Sequence, residues 1–115
     1  MNSYVSGLLY EYAAAFILRL KGYRISKMRY KTQYGEIDII ATKGKILIFV
    51  EVKKRKRNQD VFEAINISNR NRIERTAQHF LSHHSQFQLY DMRFDAVLFK
   101  GFLPKHIKQA WISAS

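Results

Sequence analysis

Gly35-Glu36-Ile37-Asp38-Ile39-Ile40-Ala41, Thr42-Lys43-Gly44-Lys45 and Ile46-Leu47-Ile48-Phe49-Val50-Glu51-Val52-Lys53 read as two strands with a turn between them. Both outer runs are rich in β-branched residues, and the short polar link holds Gly44, the pattern of a β-hairpin. With the turn centred on Lys43-Gly44, Thr42 faces Lys45 and side chains alternate between two faces. One face then carries Ile37, Ile39, Ala41, Ile46, Ile48, Val50 and Val52, all apolar. The other carries Ile40, Leu47 and Phe49 near the turn, then Glu36, Asp38, Glu51 and Lys53 towards the open end. In this register Asp38 lies opposite Phe49 and diagonal to Glu51, about 7 Å away and within reach of one shared ion.

Charge on a ribbon buried on both faces needs a partner, since leaving it unpaired costs on the order of several kcal/mol. The cluster is therefore a salt-bridge set or a site. Two carboxylates converging beside a lysine suit phosphodiester hydrolysis. Hard oxygen ligands hold Mg²⁺, and the metal activates water and neutralises developing phosphate charge. The lysine positions the water or stabilises the pentavalent phosphorus as a point charge. Asp38, then twelve residues, then Glu51-Val52-Lys53 resembles the D…(D/E)xK signature of restriction-endonuclease-like nucleases. The tripeptide alone is common. Its place on an apolar hairpin, in register with the aspartate, makes the pattern selective.

A chain of 115 residues suffices for one domain, 1–115, with a modest core. Apolar content of 47% and aromatic content of 14% exclude a disordered chain. The formal charge of +11 points to a polyanionic partner, nucleic acid ahead of a membrane surface. Only nine acids are present, and Glu36, Asp38 and Glu51 crowd the hairpin, which favours a site over a random surface. The lack of cysteine excludes a disulfide framework, a thiol nucleophile and a cysteine-ligated zinc, and is compatible with the cytoplasm. Glu11 interrupts the apolar N-terminal run, and no basic segment precedes it. Neither a signal peptide nor a membrane span is expected.

Residues 3–21 have the periodicity of a helix, with Ser3 as N-cap and Gly22 as stop. From Leu8 to Leu18 this helix is apolar nearly all round, so it should pack against the sheet and carry Glu11 inward. Glu11 is then either an edge carboxylate paired with a basic residue or a third acid aimed at the charged end of the hairpin. Residues 23–32 alternate as a half-exposed strand, and Gln33-Tyr34-Gly35 turns into the hairpin. The basic run from Lys53 to Arg57 reads as a phosphate-contacting loop. Asp60 is the expected cap of a second helix reaching about His84. Its first turns use Val61, Ala64 and Ile65, and its later stripe uses Ile73, Ala77, Phe80 and Leu81. Arg70, Arg72 and Arg75 crowd the early part of this segment, where they oppose the helix dipole and answer an outside anion. His79 and His83 have zinc spacing but lack a third ligand. Residues 92–100 form another strand, on which Asp95 reads as structural, at the sheet edge or paired with Arg93. Ile107, Ala110, Trp111 and Ile112 pack back as a short element. The order of helix, three strands, helix and strand implies a mixed central sheet flanked by helices.

Glu11-x-x-Ala14, Gly22-Tyr23-Arg24-Ile25, Tyr34-Gly35-Glu36-Ile37-Asp38, Phe49-Val50-Glu51-Val52-Lys53-x-Arg55, Glu63-Ala64-Ile65 and Arg93-Phe94-Asp95-Ala96-Val97 together resemble the YraN family of small bacterial proteins. The resemblance implies an α/β fold with a restriction-endonuclease-like αβββαβ core, similar to archaeal Holliday-junction resolvases. It also implies a metal site of a first-helix glutamate, a strand aspartate and the ExK pair, which map to Glu11, Asp38, Glu51 and Lys53. Tyr10 stands where the family commonly has glycine, and Arg70 where a lysine is expected. The N-terminal lead here is short and neutral rather than basic.

The leading expectation is an Mg²⁺- or Mn²⁺-dependent endodeoxyribonuclease acting on DNA, with branched DNA a candidate substrate. Asp38, Glu51 and the Val52 carbonyl would hold the metal, Glu11 would join directly or through water, and Lys53 would orient the attacking water. Lys54, Arg55, Arg57, Arg70 and Arg72 would hold phosphates. By analogy with junction resolvases, a homodimer would bring two sites together. Two rivals stay open: a nucleic-acid-binding module that keeps the fold without cutting, and a self-paired structural network in a protein-interaction domain.

Overall fold

The computed structural model describes residues 3–54 and 65–113, with side chains from Ser6 onwards. In chain order these form α1 (Ser3–Leu20), β1 (Arg24–Thr32), β2 (Gly35–Lys43), β3 (Ile46–Lys54), α2 (Ile67–His83), a 3₁₀ turn (Ser85–Phe87), β4 (Asp91–Lys100) and β5 (Leu103–Trp111). Among the described residues the strands make one five-stranded sheet in the order β1-β2-β3-β4-β5. Neighbours are antiparallel except β3 and β4, whose parallel pairing follows from the crossover that contains α2. The helices cover opposite faces. α1 packs on Ile39, Ala41, Ile48, Val50, Val97 and Phe99, and α2 on Ile40, Leu47, Phe49, Ala96 and Leu98. This mixed α/β sheet between two helices is compatible with a restriction-endonuclease-like core, to which β5 adds an edge strand.

The hairpin forms as expected but closes one residue later. Lys43 pairs with Ile46, so the turn is Gly44-Lys45 rather than Lys43-Gly44. Gly44 has φ 59°, which suits the first central position of a type II′ turn, where other residues are strained. Ile40, not Asp38, therefore sits opposite Phe49, and Asp38 falls one step beyond the Ile39–Val50 pair, level with Glu51. Ile37 is a second departure. It packs with Ile40, Leu47 and Phe49 on the α2 side, because alternation breaks at Asp38 where pairing with β3 ends.

α1 stops at Gly22 (φ 95°). The N–H groups of Tyr23 and Gly22 return to Leu18 O and Arg19 O, the Schellman arrangement that glycine permits. The sheet buries Ala14, Ala15 and Leu18 but leaves Leu9, Tyr12, Phe16 and Leu20 between 52% and 72% exposed. The helix packs against the sheet as expected, and one sheet face covers only one side of the cylinder, so the other side stays exposed.

The cap of α2 is Asn66, whose side chain accepts the Asn69 N–H at 2.9 Å, in place of the expected Asp60. Asp60, Val61 and Ala64 lie outside the described residues, and Ile67, at the start of α2, is exposed. Ile73, Ala77 and Phe80 form the buried stripe as expected, with Leu81 partly buried against them. The C-terminal element is β5. Its Ala110 and Trp111 are buried, whereas Ile112 is exposed, against expectation. With β5 on the edge, Asp95 lies on an interior strand and is fully buried.

Candidate functional site

The sheet forks at Asp38. Beyond Ile39–Val50, β2 stays paired with β1 through Thr32–Gly35, while β3 stays paired with β4 through Lys54–Phe99. The two wings separate where the chain turns from β-branched residues to charge. Asp38 spans the gap. Its Oδ2 accepts the Val52 N–H at 2.8 Å, replacing the ladder bond that the fork removes.

A hollow of about 250 Å³ opens at this fork, lined by Gly35, Glu36, Asp38, Glu51, Lys53, Asn69, Arg72 and Ile73. The structure thus brings Asp38, Glu51 and Lys53 together, as the sequence predicts, and adds Arg72 from α2. Gly35 lets α2 close over the hollow. At φ 153° it has no side chain, and a Cβ there would lie 3.3 Å from both Arg72 Cβ and Thr76 Oγ1.

Glu11 reaches the cluster from α1. Its carboxylate accepts from Arg29 Nη1 at 3.3 and 3.4 Å, and Arg29 Nε lies 3.6 Å from Glu36 Oε1. The structure shows the first expectation for Glu11, a carboxylate paired with a basic residue, and its side chain is not among those that line the hollow.

The electrostatics follow from four acids at one fork. Burial raises the Glu11 carboxyl to about 7, Asp38 adds to the rise, and Arg29 opposes it. Burial also pushes Glu51 well above the usual carboxylate range. The Asp38 charge and a hydrogen bond to Asp38 push in the same direction, and Lys53 offsets only part. Repulsion of this kind, open to a hollow, is relieved by a proton or a cation. The donor set of Asp38 and Glu51 is hard oxygen, which fits Mg²⁺ or Mn²⁺. Among the described residues no three His, Asp or Glu side chains are already gathered as a metal cage, and Glu11 is paired with Arg29.

Arg29 is the residue that strand periodicity missed. Met28–Ile39 and Tyr30–Ile37 pair, which sets Arg29 beside Asp38, and its φ of 54° turns it out of a regular strand. Counting back from the Gln33-Tyr34 turn would have placed it there. Of the expected phosphate contacts, Arg72 lines the hollow. Arg70 instead donates its Nε to Ile65 O beside a separate hollow, and Lys54 is exposed at the end of β3. Arg55 and Arg57 lie outside the described residues.

Two other polar clusters have structural explanations. Asp95 accepts from Arg93 at 2.8 and 2.9 Å, His106 Nε2 at 2.8 Å and the Gln109 N–H at 3.0 Å. Burial alone would raise this carboxyl, but those bonds outweigh it and hold it below the usual range. The His79 and His83 rings stack 4.3 Å apart, with His79 Nδ1 at Tyr30 Oη and His83 Nδ1 at the His79 carbonyl.

Residues 10–99 match the model of the uncharacterised protein family UPF0102, a span that takes in Glu11, Arg29, Asp38, Glu51, Lys53 and Arg72. The chain belongs to that family. The YraN-like resemblance is thereby borne out. A UPF0102 protein of Parvibaculum lavamentivorans is 41% identical over 112 residues, covering 96% of this chain and 84% of its own. A UPF0102 protein of Bartonella tribocorum is 40% identical over 107 residues, 92% of this chain and 82% of the relative. One of Mesorhizobium japonicum is 40% identical over 111 residues, 96% of this chain and 89% of the relative. β5 lies beyond the UPF0102 match. Among the described residues no helix is long and apolar enough to cross a membrane.

Proposed function

We propose that the chain is a divalent-metal-dependent endodeoxyribonuclease that hydrolyses phosphodiester bonds at the fork between β2 and β3, with branched DNA as the substrate to try first. The observation that carries this reading is the pairing of Asp38 and Glu51 in an open hollow, with Glu51 raised by burial and by its neighbour. Asp38, Glu51 and the Val52 carbonyl would hold Mg²⁺ or Mn²⁺, with Glu11 as a further acid. When bound, the metal supplies an activated water and charge neutralisation at phosphorus. Lys53, on the same wall, orients the water and stabilises the negative charge that grows on the phosphate. Arg72 anchors a phosphate oxygen from the α2 side. A homodimer belongs to this reading, because cutting a four-way junction takes two sites.

The test is a cleavage panel of single-stranded, duplex, flap and four-way DNA with and without Mn²⁺. Wild-type protein should cut in metal only. Asp38→Ala and Lys53→Ala should abolish cutting while gel-shift affinity survives, and robust cleavage by both purified variants would end the proposal. The Arg29 tie on Glu11 favours a second reading, a DNA-binding module that no longer cuts. Calorimetric titration separates the two, since a module takes up neither Mg²⁺ nor Mn²⁺.

A further inference from the structure

A second hollow adjoins the first along α2. It has about 340 Å³ and is lined by Tyr34, Arg75, Gln78, His79 and Ser82. Gly35 and Arg72 belong to the first hollow, and Tyr34 and Arg75, their chain neighbour and the next turn of the helix, belong to the second. A polymer seated at the fork that follows α2 towards its C-terminus passes directly over Tyr34.

The chemistry of this second hollow differs from the first. Its described lining carries no acid, so nothing in it repels a phosphate. Among the described residues no ion pair engages Arg75, which is exposed. Tyr34 is 41% exposed and lines this hollow. Its N–H bonds to Thr32 Oγ1 at 3.0 Å, which fixes the turn that presents it, and its ring centroid stands 6.0 Å from that of His79. His79 is in turn held by Tyr30 Oη at 3.0 Å. A flat ring held at a turn, beside a free guanidinium, is the pair that binds one nucleotide: base on the ring and phosphate on the cation.

We infer that Tyr34 and Arg75 form a subsite for an unpaired nucleotide of the DNA strand flanking the fork. This rests on the nuclease reading for its orientation, and it deepens that reading by naming the substrate class as DNA with a single-stranded flank. A paired base has both faces stacked on its neighbours and cannot offer one to Tyr34. The subsite therefore discriminates single strand from duplex, and Arg75 contributes to both.

Fluorescence anisotropy with a labelled oligo-dT and a blunt duplex of equal length, in metal-free buffer, tests this without cleavage. Tyr34→Ala should weaken single-strand binding roughly tenfold, the order expected for one stacked base, and leave duplex binding unchanged. Tyr34→Phe should retain wild-type affinity, which excludes loss through misfolding. Arg75→Ala should lower affinity for both DNAs and reduce the salt slope by about one ion. Equal single-strand affinity of Tyr34→Ala and wild type would overturn the subsite, as would failure of wild type to bind the single strand. A null cleavage panel beside the expected Tyr34 result overturns only the nuclease reading.

Discussion

The Val52 N–H and Asp38 Oδ2 meet at 2.8 Å across the point where β2 and β3 part. One carboxylate thus completes a broken ladder and, through the same group, faces Glu51. Structural and chemical duties fall on a single side chain, and substitutions at Asp38 can tell them apart.

Asp38→Ala leaves the Val52 N–H without its acceptor, a loss of about 1–3 kcal/mol for a part-buried donor. Asp38→Asn keeps an acceptor oxygen and removes the like charge beside Glu51. Thermal melting of metal-free protein should therefore rank Asn at or above wild type and Ala below it, while both lack cleavage. Equal melting of the Ala and Asn variants would deny the bond its structural role.

The raised acids set a pH dependence. Glu11 titrates near 7 in the folded chain against 4.5 when free, so between these values the folded state holds a proton that the unfolded state has released. Stability of metal-free protein then falls as pH rises through this window, and Glu51 adds in the same direction. Denaturant midpoints at pH 5 and pH 8 should show the drop, and Glu11→Gln should flatten it. A midpoint that rises across the window in wild type would contradict the assignment.

How far this was legible in the sequence depends on range. The hairpin, the stripe of Ile73, Ala77 and Phe80, and the meeting of Asp38, Glu51 and Lys53 follow from period and register, which are local. The turn was misplaced because Lys43-Gly44 and Gly44-Lys45 differ only in which glycine dihedral the strand twist prefers. The place of Arg29 beside Asp38 follows from register, but its ties to Glu11 on α1 and to Glu36 depend on tertiary packing that no local pattern encodes. That α1 packs on the sheet was legible from its composition, whereas which side stays exposed depends on how much sheet is left to cover it.

Asp95 belongs to the frame and not to the site. It holds Arg93, His106 and the Gln109 N–H together beneath the β4–β5 pair. Asp95→Ala strands a guanidinium and an imidazole, and breaking a buried pair in this way costs about 3–5 kcal/mol. Urea unfolding should show that loss, while any protein that remains folded keeps its affinity for DNA. Selective loss of DNA binding at unchanged stability would move Asp95 into the site.

Metal should restore what the acids cost. At pH 8 Glu11, raised to about 7, is ionised beside Asp38, and the burial and neighbouring charge that raise Glu51 add to the strain. A divalent ion that binds the folded chain alone stabilises it by about 2.7 kcal/mol at one hundred times its dissociation constant. At pH 5 a proton already fills the Glu11 carboxyl, and Glu51 is shifted in the same direction, so the ion competes with protons and the gain shrinks. Melting scans in EDTA and in millimolar Mn²⁺ should therefore show a shift of several degrees at pH 8 and little at pH 5. Glu51→Gln should lose the shift at both, because it removes one of the two carboxylates proposed to hold the ion. A Mn²⁺ shift that persists in Glu51→Gln would place the ion elsewhere, and Lys53 would then have no water to orient.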